Sequence, residues 1–244
     1  MRSYGMTDIG KKRKINQDYL FFSDEKIGCF PNLYIVADGM GGHKAGDKAS
    51  SYAVTRFVEL AKKTSADIPF LSMEELIQQV NEDIYRMSET QDQYAGMGTT
   101  FVAASIVGNV AYVMNIGDSR LYYYNGEEMR QVTMDHSLVE ELVRAGELNR
   151  EESRHHPQKN IITKAIGVAE AMEPDFFMIE MKEGDRILLC SDGLSNVVED
   201  DKLTEILSRE EDLEILCEEC VQEALFYGGL DNIAVVIAQY EHGR

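Results

Sequence analysis

The sequence predicts an α+β layered sandwich built on antiparallel sheet, and three observations carry that expectation. Short runs of branched and aromatic residues recur in clusters along the chain. Two junctions between them, Gly108-Asn109 and Asn125-Gly126, are hairpin turn signals, and hairpins join antiparallel strands. Amphipathic helical segments stand in groups apart from the strands, which argues against a βαβ repeat.

Taken in order, strands are expected at 20–22 and 33–37. A helix follows over 45–62, and a second over 72–89. In the second, Met73, Leu76, Ile77, Val80, Ile84 and Met87 share one face, and Ser72 with Glu75 reads as a capping box. Strands at 99–107, 110–116 and 120–124 lead to a short helix at 137–145, opened by Ser137 with Glu140. Further strands are expected at 175–179 and 186–190. A late helix carries the stripe Leu213, Leu216, Cys217, Cys220, Val221, Ala224 and Leu225, and the last strand covers 233–240.

Lys and Arg number 24 against 43 Asp and Glu, a formal net charge of −19. Such a surface repels nucleic acid and anionic lipid, so neither is an expected partner. No apolar run approaches the roughly 18 residues of a membrane span. The polar start carries no signal-peptide pattern, and the four cysteines form no disulfide framework. The expectation is one domain over 1–244 in a reduced, cytoplasmic protein.

Four aspartates share one placement. Asp38 ends an apolar run and precedes Gly39. Asp118 follows Gly117 at the end of another, and Asp192 ends a third and precedes Gly193. Asp231 opens the last strand. Each alone reads equally well as a turn or cap residue. Together, at strand ends, they can converge on one rim, where like charges require a cation. Oxygen ligands select hard ions, Mg²⁺ or Mn²⁺. The glycines would let backbone approach closely. Arg13-x-x-Asn16-Gln17-Asp18 adds a guanidinium suited to phosphate and a further carboxylate. The basic run Lys11-Lys12-Arg13-Lys14 reads either as a solvated loop or as a local attractor for an anionic substrate.

These segments, with Val36-Ala37-Asp38-Gly39-Met40-Gly41-Gly42-His43, Gly98-Thr99-Thr100, Asn115-Ile116-Gly117-Asp118-Ser119-Arg120, Ser191-Asp192-Gly193-Leu194 and Gly229-Leu230-Asp231-Asn232-Ile233, resemble the ordered motifs of the bacterial PP2C-type serine/threonine phosphatases, the metal-dependent PPM family. The resemblance spans about residues 3–240. It implies a four-layer α/β/β/α sandwich of two antiparallel sheets flanked by helices, with metals at one end. It implies that Asp38 bridges two Mn²⁺ or Mg²⁺ ions, that Asp192 and Asp231 complete the first site, and that the Gly39 carbonyl serves the second with Asp18 reaching it through water. Asp118, with Asp192, would hold a third, weaker ion. Arg13 would bind the substrate phosphate, and His43 would donate the leaving-group proton, or else have a structural or purely substrate-orienting role. The implied chemistry is attack on phosphoserine or phosphothreonine by a hydroxide shared between the ions. Gln17 departs from the family, which has Glu there.

The resemblance further implies phosphorylated proteins as substrates, a bacterial Ser/Thr kinase as counterpart, a monomer, and a flap at about 146–160 beside the site. Two alternatives stay open: a phosphatase dedicated to one regulatory protein, as in anti-sigma-factor pathways, and a non-catalytic binding module. Cys217-x-x-Cys220 and Cys190 are expected to be core residues, and His136, His155 and His156 are poor metal ligands beside an oxygen-rich site.

Overall fold

The structure is a computed structural model that describes residues 1–41, 45–65 and 69–241. One antiparallel sheet has the order β1 (Arg2–Asp8), β11 (Ile233–Gln239), β10 (Arg186–Cys190), β7 (Arg120–Tyr124), β8 (Met129–Gln131). The other runs β2 (Asp18–Ser23), β3 (Leu33–Met40), β5 (Phe101–Val107), β6 (Val110–Ile116), β9 (Asp175–Glu180), with the short β4 (Gly98–Thr99) paired to β3.

Alternation along the strands explains the layering. In β3, Tyr34 and Val36 pack into a core between the sheets, while Leu33, Ile35 and Ala37 face a second core under α1 (Gly46–Ala61) and α2 (Pro69–Thr90). In β11, Ala234, Val236 and Ala238 enter the inter-sheet core. Ile233, Val235 and Ile237 face a third core under α6 (Asp200–Leu207) and α7 (Leu213–Phe226). Strands buried on both faces need apolar residues at every position, which is why these runs are continuous rather than alternating. The four layers are therefore helix, sheet, sheet, helix, as the resemblance implied.

Several boundaries differ from expectation. β1 was not anticipated, because its sequence is poor in branched residues. It forms because all seven residues pair with β11. β8 is three residues long and was also missed. The expected strand at 99–107 divides at Thr100: its N–H still donates to the Asp38 carbonyl of β3 at 2.9 Å, but the Asp38 N–H goes to the Thr100 hydroxyl at 2.8 Å instead of to a backbone carbonyl. α2 begins at Pro69, where the missing N–H costs nothing, so Ser72 is a buried first-turn residue rather than the cap. Ser137 does cap α3 (Leu138–Arg144), but the Glu140 carboxylate turns to Arg150 rather than back to the cap. The 146–160 segment carries α4 (Arg150–His155), opened by an Asn149–Glu152 capping box. Ion pairs join Arg150 to Glu140, and Arg154 to Glu199 and Asp200, seating this segment on α3 and the start of α6. Among the described residues no helix is long and apolar enough to cross a membrane.

Candidate active site

Antiparallel pairing brings the aspartates to one rim. Asp18 at the start of β2 lies directly opposite Asp38 near the end of β3. In the other sheet β10 ends at Cys190, beside the start of β11, so Asp192 and Asp231 emerge next to each other. Asp118 leaves β6 at the same end, since Ile116 pairs with Phe101 beside Thr100. Two short bonds join the sheets here. Ser191 Oγ donates to Asp18 Oδ2 at 2.6 Å, and Asn232 Oδ1 accepts the Gln17 N–H at 2.9 Å. Asn232 also donates to the carbonyls of Ile9 and Ile15, which fixes the loop carrying Arg13.

Asp38 stands at the centre. Its side chain is within hydrogen-bonding reach of both Asp18 and Asp192. Its backbone is held by Thr100, which takes the Asp38 N–H on its hydroxyl at 2.8 Å, and by Thr99, whose hydroxyl donates to the Asp38 carbonyl. Asp192 Oδ2 accepts from Asn196 Nδ2 at 2.9 Å. Arg13 donates to Asp231 Oδ2 at 2.6 Å and keeps about half of its side chain exposed (47%).

The electrostatics are those of a site lacking positive charge. Burial, then the neighbouring carboxylates, pushes Asp18 up to about 8 and Asp192 to about 6. The same causes, in the same order, raise Asp38 and Asp118 well above the carboxylate range. One buried oxygen on each of Asp18, Asp118 and Asp192 has no hydrogen-bond partner. Unpaired buried acceptors are costly, and a hard cation satisfies them. Among the described residues no three ligand side chains close on one point. The donor set is all oxygen and fits Mg²⁺ or Mn²⁺.

These shifts give a pH dependence. A carboxyl whose folded pKa lies above its unfolded value of about 3.8 binds more protons when folded, so its contribution to stability falls as pH rises through the interval. Metal-free protein is expected to melt at lower temperature at pH 8 than at pH 5. Saturating Mn²⁺ should abolish that fall. Thermal melts at both pH values, with and without the ion, check it.

Two of the glycines have a packing reason. A Cβ on Gly39 would lie 1.9 Å from the Gly46 carbonyl oxygen, and one on Gly193 would lie 1.9 Å from that of Asn232. The close approach expected after Asp38 and Asp192 is therefore between elements of the fold: β3 against the start of α1, and α5 (Asp192–Ser195) against the start of β11.

Sequence reasoning missed the supporting shell. Ser191, Asn232 and Thr100 lay within the quoted motifs, but nothing local marked their hydroxyl or amide as contacts to a carboxylate's strand. His136, expected only to be a poor metal ligand, sits just before the Ser137 cap of α3. It also pins the Asp118 turn: its Nδ1 accepts the Gly117 N–H, and its own N–H donates to the Gly117 carbonyl, both at 3.0 Å. Burial lowers the His136 pKa, and Nε2 lies 3.2 Å from Asp175. The Gln17 carbonyl accepts from the Gly39 N–H and from Ser50 Oγ. His43 lies outside the described residues. Cys190, Cys217 and Cys220 are fully buried. Burial pushes the thiols of Cys190 and Cys217 up to about 12, which removes them as nucleophiles near neutral pH.

Comparison with known proteins follows the same lines. The protein phosphatase 2C family profile matches residues 10–225. The serine/threonine phosphatase stp of Listeria innocua is 40% identical, with 96% of this chain and 93% of that protein covered. The structure of the Streptococcus agalactiae serine/threonine phosphatase superposes with a TM-score of 0.91 at 39% identity, covering 98% of this chain and 99% of the other. The catalytic domain of the phosphatase PstP, solved in complex with two manganese ions, gives 0.86 at 32% identity, covering 98% and 97%. The chain belongs to the protein phosphatase 2C family of metal-dependent serine/threonine phosphatases.

Proposed function

We propose that the aspartate rim is the metal centre of this phosphatase and that Arg13 beside it receives the substrate phosphate. The observation that supports this reading is the buried cluster of mutually repelling carboxylates, three with unpartnered oxygens, next to a half-exposed guanidinium. Asp38, central between Asp18 and Asp192, would be the ligand shared by two ions. Asp192 and Asp231 would serve one of them, and the Gly39 carbonyl with Asp18 the other. Asp118 with Asp192 would hold a third, weaker ion. Bound Mn²⁺ or Mg²⁺ supplies Lewis-acid charge that activates water and neutralises phosphoryl oxygens.

The chain's own groups do the positioning. Asp231 holds Arg13 by one nitrogen, which leaves its other donors for the phosphate. Ser191 and Asn196 hold Asp18 and Asp192 by one oxygen each, leaving the second oxygen of each free to ligate. The resulting enzyme acts on phosphorylated proteins as one catalytic domain over 1–244, with the 146–160 segment as a flap, and opposes a bacterial Ser/Thr kinase in the cytoplasm.

Hydrolysis of para-nitrophenyl phosphate and a phosphothreonine peptide tests the centre. Turnover is expected with Mn²⁺ or Mg²⁺ and not in fully metal-stripped protein. Activity that survives complete stripping overturns the reading.

Two variants separate the roles. Arg13→Ala should raise KM by roughly ten- to a hundredfold, the loss of one charge-assisted contact of about 1.5–3 kcal/mol, with a smaller effect on kcat. An unchanged KM would place Arg13 outside the phosphate site. Asp118→Asn should lose the weakest step in a calorimetric Mn²⁺ titration while keeping the tight ones, since a site with few protein ligands holds these hydrated ions weakly. Persistence of that step would remove Asp118 from the metal sites.

A further inference from the structure

The chain carries a net charge of −19, yet Lys11, Lys12, Arg13 and Lys14 stand consecutively on the exposed loop that leads into β2. Arg13 is ion-paired with Asp231. Among the described residues, Lys11, Lys12 and Lys14 have no carboxylate partner within ion-pair distance. The Lys11 N–H donates to the Gly229 carbonyl at 2.8 Å. That bond docks the basic loop onto the turn joining α7 to Asp231.

The turn is apolar and faces outward. Phe226 is 78% exposed, Tyr227 53% and Leu230 58%. The Phe226 and Tyr227 rings meet edge to face at 80°, centroids 5.4 Å apart, with both left open to solvent. Lys11, Leu225, Phe226 and Tyr227 line an open groove of about 720 Å³. Its other cations, Lys202 and Arg209, are already matched by Glu223 and Glu219. Unmatched lysines on the loop that carries Arg13, with Lys11 beside an exposed aromatic pair, form a surface suited to a polypeptide.

We infer that this surface is an exosite for the chain flanking the phosphorylated residue, and that it selects substrates with acidic residues and a large apolar side chain next to the phosphoserine or phosphothreonine. The inference rests on the proposed placement of the phosphate at Arg13. Lys12 and Lys14 flank Arg13 in the chain and Leu230 precedes its ion-pair partner Asp231, so these are the side chains next to the phosphate position that a substrate's flanks would meet. Most of the surface repels an acidic peptide, so the lysine loop is where such a segment lands and is oriented. The aromatic pair supplies exposed apolar contact area beside the lysines.

Three phosphothreonine peptides test this: one flanked by Glu and Leu, one by Ala, one by Lys. Wild type with Mn²⁺ is expected to show kcat/KM falling by at least about tenfold from the first to the third, mostly through KM, with the gap narrowing at high salt. The double variant Lys12→Glu, Lys14→Glu should erase or invert the order. Phe226→Ala with Leu230→Ala should remove the advantage of the leucine. The Phe226→Ala, Leu230→Ala variant should turn over para-nitrophenyl phosphate, which has no flanks, at the wild-type rate, and the charge-reversed variant is read by the ratio between peptides, in which any general loss of attraction for anions cancels.

Equal kcat/KM for the three peptides in wild type overturns the exosite. So does a charge-reversed variant that still prefers the acidic peptide. If either occurs while ester hydrolysis stays metal-dependent and sensitive to Arg13→Ala, the metal centre stands and the exosite alone fails. Insensitivity of peptide KM to Arg13→Ala removes the phosphate position and the exosite with it.

Discussion

Asp38→Asn is expected to lower hydrolysis of para-nitrophenyl phosphate by at least about a thousandfold, the scale of losing a principal electrostatic stabiliser. The carboxylate stands between Asp18 and Asp192, within hydrogen-bonding reach of both. Its loss should remove both tight steps from a Mn²⁺ titration. Stability should move the other way. In metal-free protein the Asp38 carboxyl is raised by burial and then by Asp18, Asp192, Asp118 and Asp231, so it costs the fold stability as pH rises above its ordinary value of about 3.8. The metal-free variant should therefore melt no lower than metal-free wild type at pH 8. A variant that is inactive and also melts lower would give Asp38 a structural part instead. Near-normal turnover would reject it as the shared ligand.

Gly39→Ala is expected to act on the fold. The added methyl would lie 1.9 Å from the Gly46 carbonyl oxygen and 2.8 Å from that of Gln17, and both are backbone atoms. No side chain can swing away, so the start of α1 must separate from β3. Overpacking of this kind costs on the order of 3 kcal/mol, or roughly 6–12 °C in Tm for a chain of this size. Urea unfolding and thermal melts measure it. An unchanged Tm would mean that the Gly39–Gly46 approach is looser than described, and with it the placement of Asp38 next door.

The expected strands at 110–116, 120–124 and 186–190 coincide with β6, β7 and β10, because each is a short branched or aromatic run bounded by turn residues. β1 shows the opposite case. Arg2–Asp8 has little strand character of its own and is a strand because β11 offers it a full row of partners. Thr100 is similar. Nothing in a run of branched residues says that the hydroxyl of one of them will take the Asp38 N–H in place of a backbone carbonyl. α4 was hidden within a charged stretch that lacks an apolar stripe, and its ion pairs to Glu140, Glu199 and Asp200 join residues far apart in the chain.

The candidate site divides in the same way. Sequence alone determined that several aspartates sit at strand ends beside glycines, that an arginine precedes another, and that the set resembles one phosphatase family. These are local features, written in runs of a few residues whose periodicity and turn chemistry can be read without neighbours. Only the tertiary structure decided that Asp18 faces Asp38 across a ladder, that Ser191 of one sheet holds Asp18 of the other, that His136 pins the Asp118 turn, and that Gly39 is required by Gly46 rather than by its own turn. Each of these joins residues brought together by how two sheets stack and twist. The same is true of the carboxyl groups' raised pKa values. Burial and mutual repulsion exist only once the rim has closed, and they turn a scattering of ordinary acids into a site that calls for a cation.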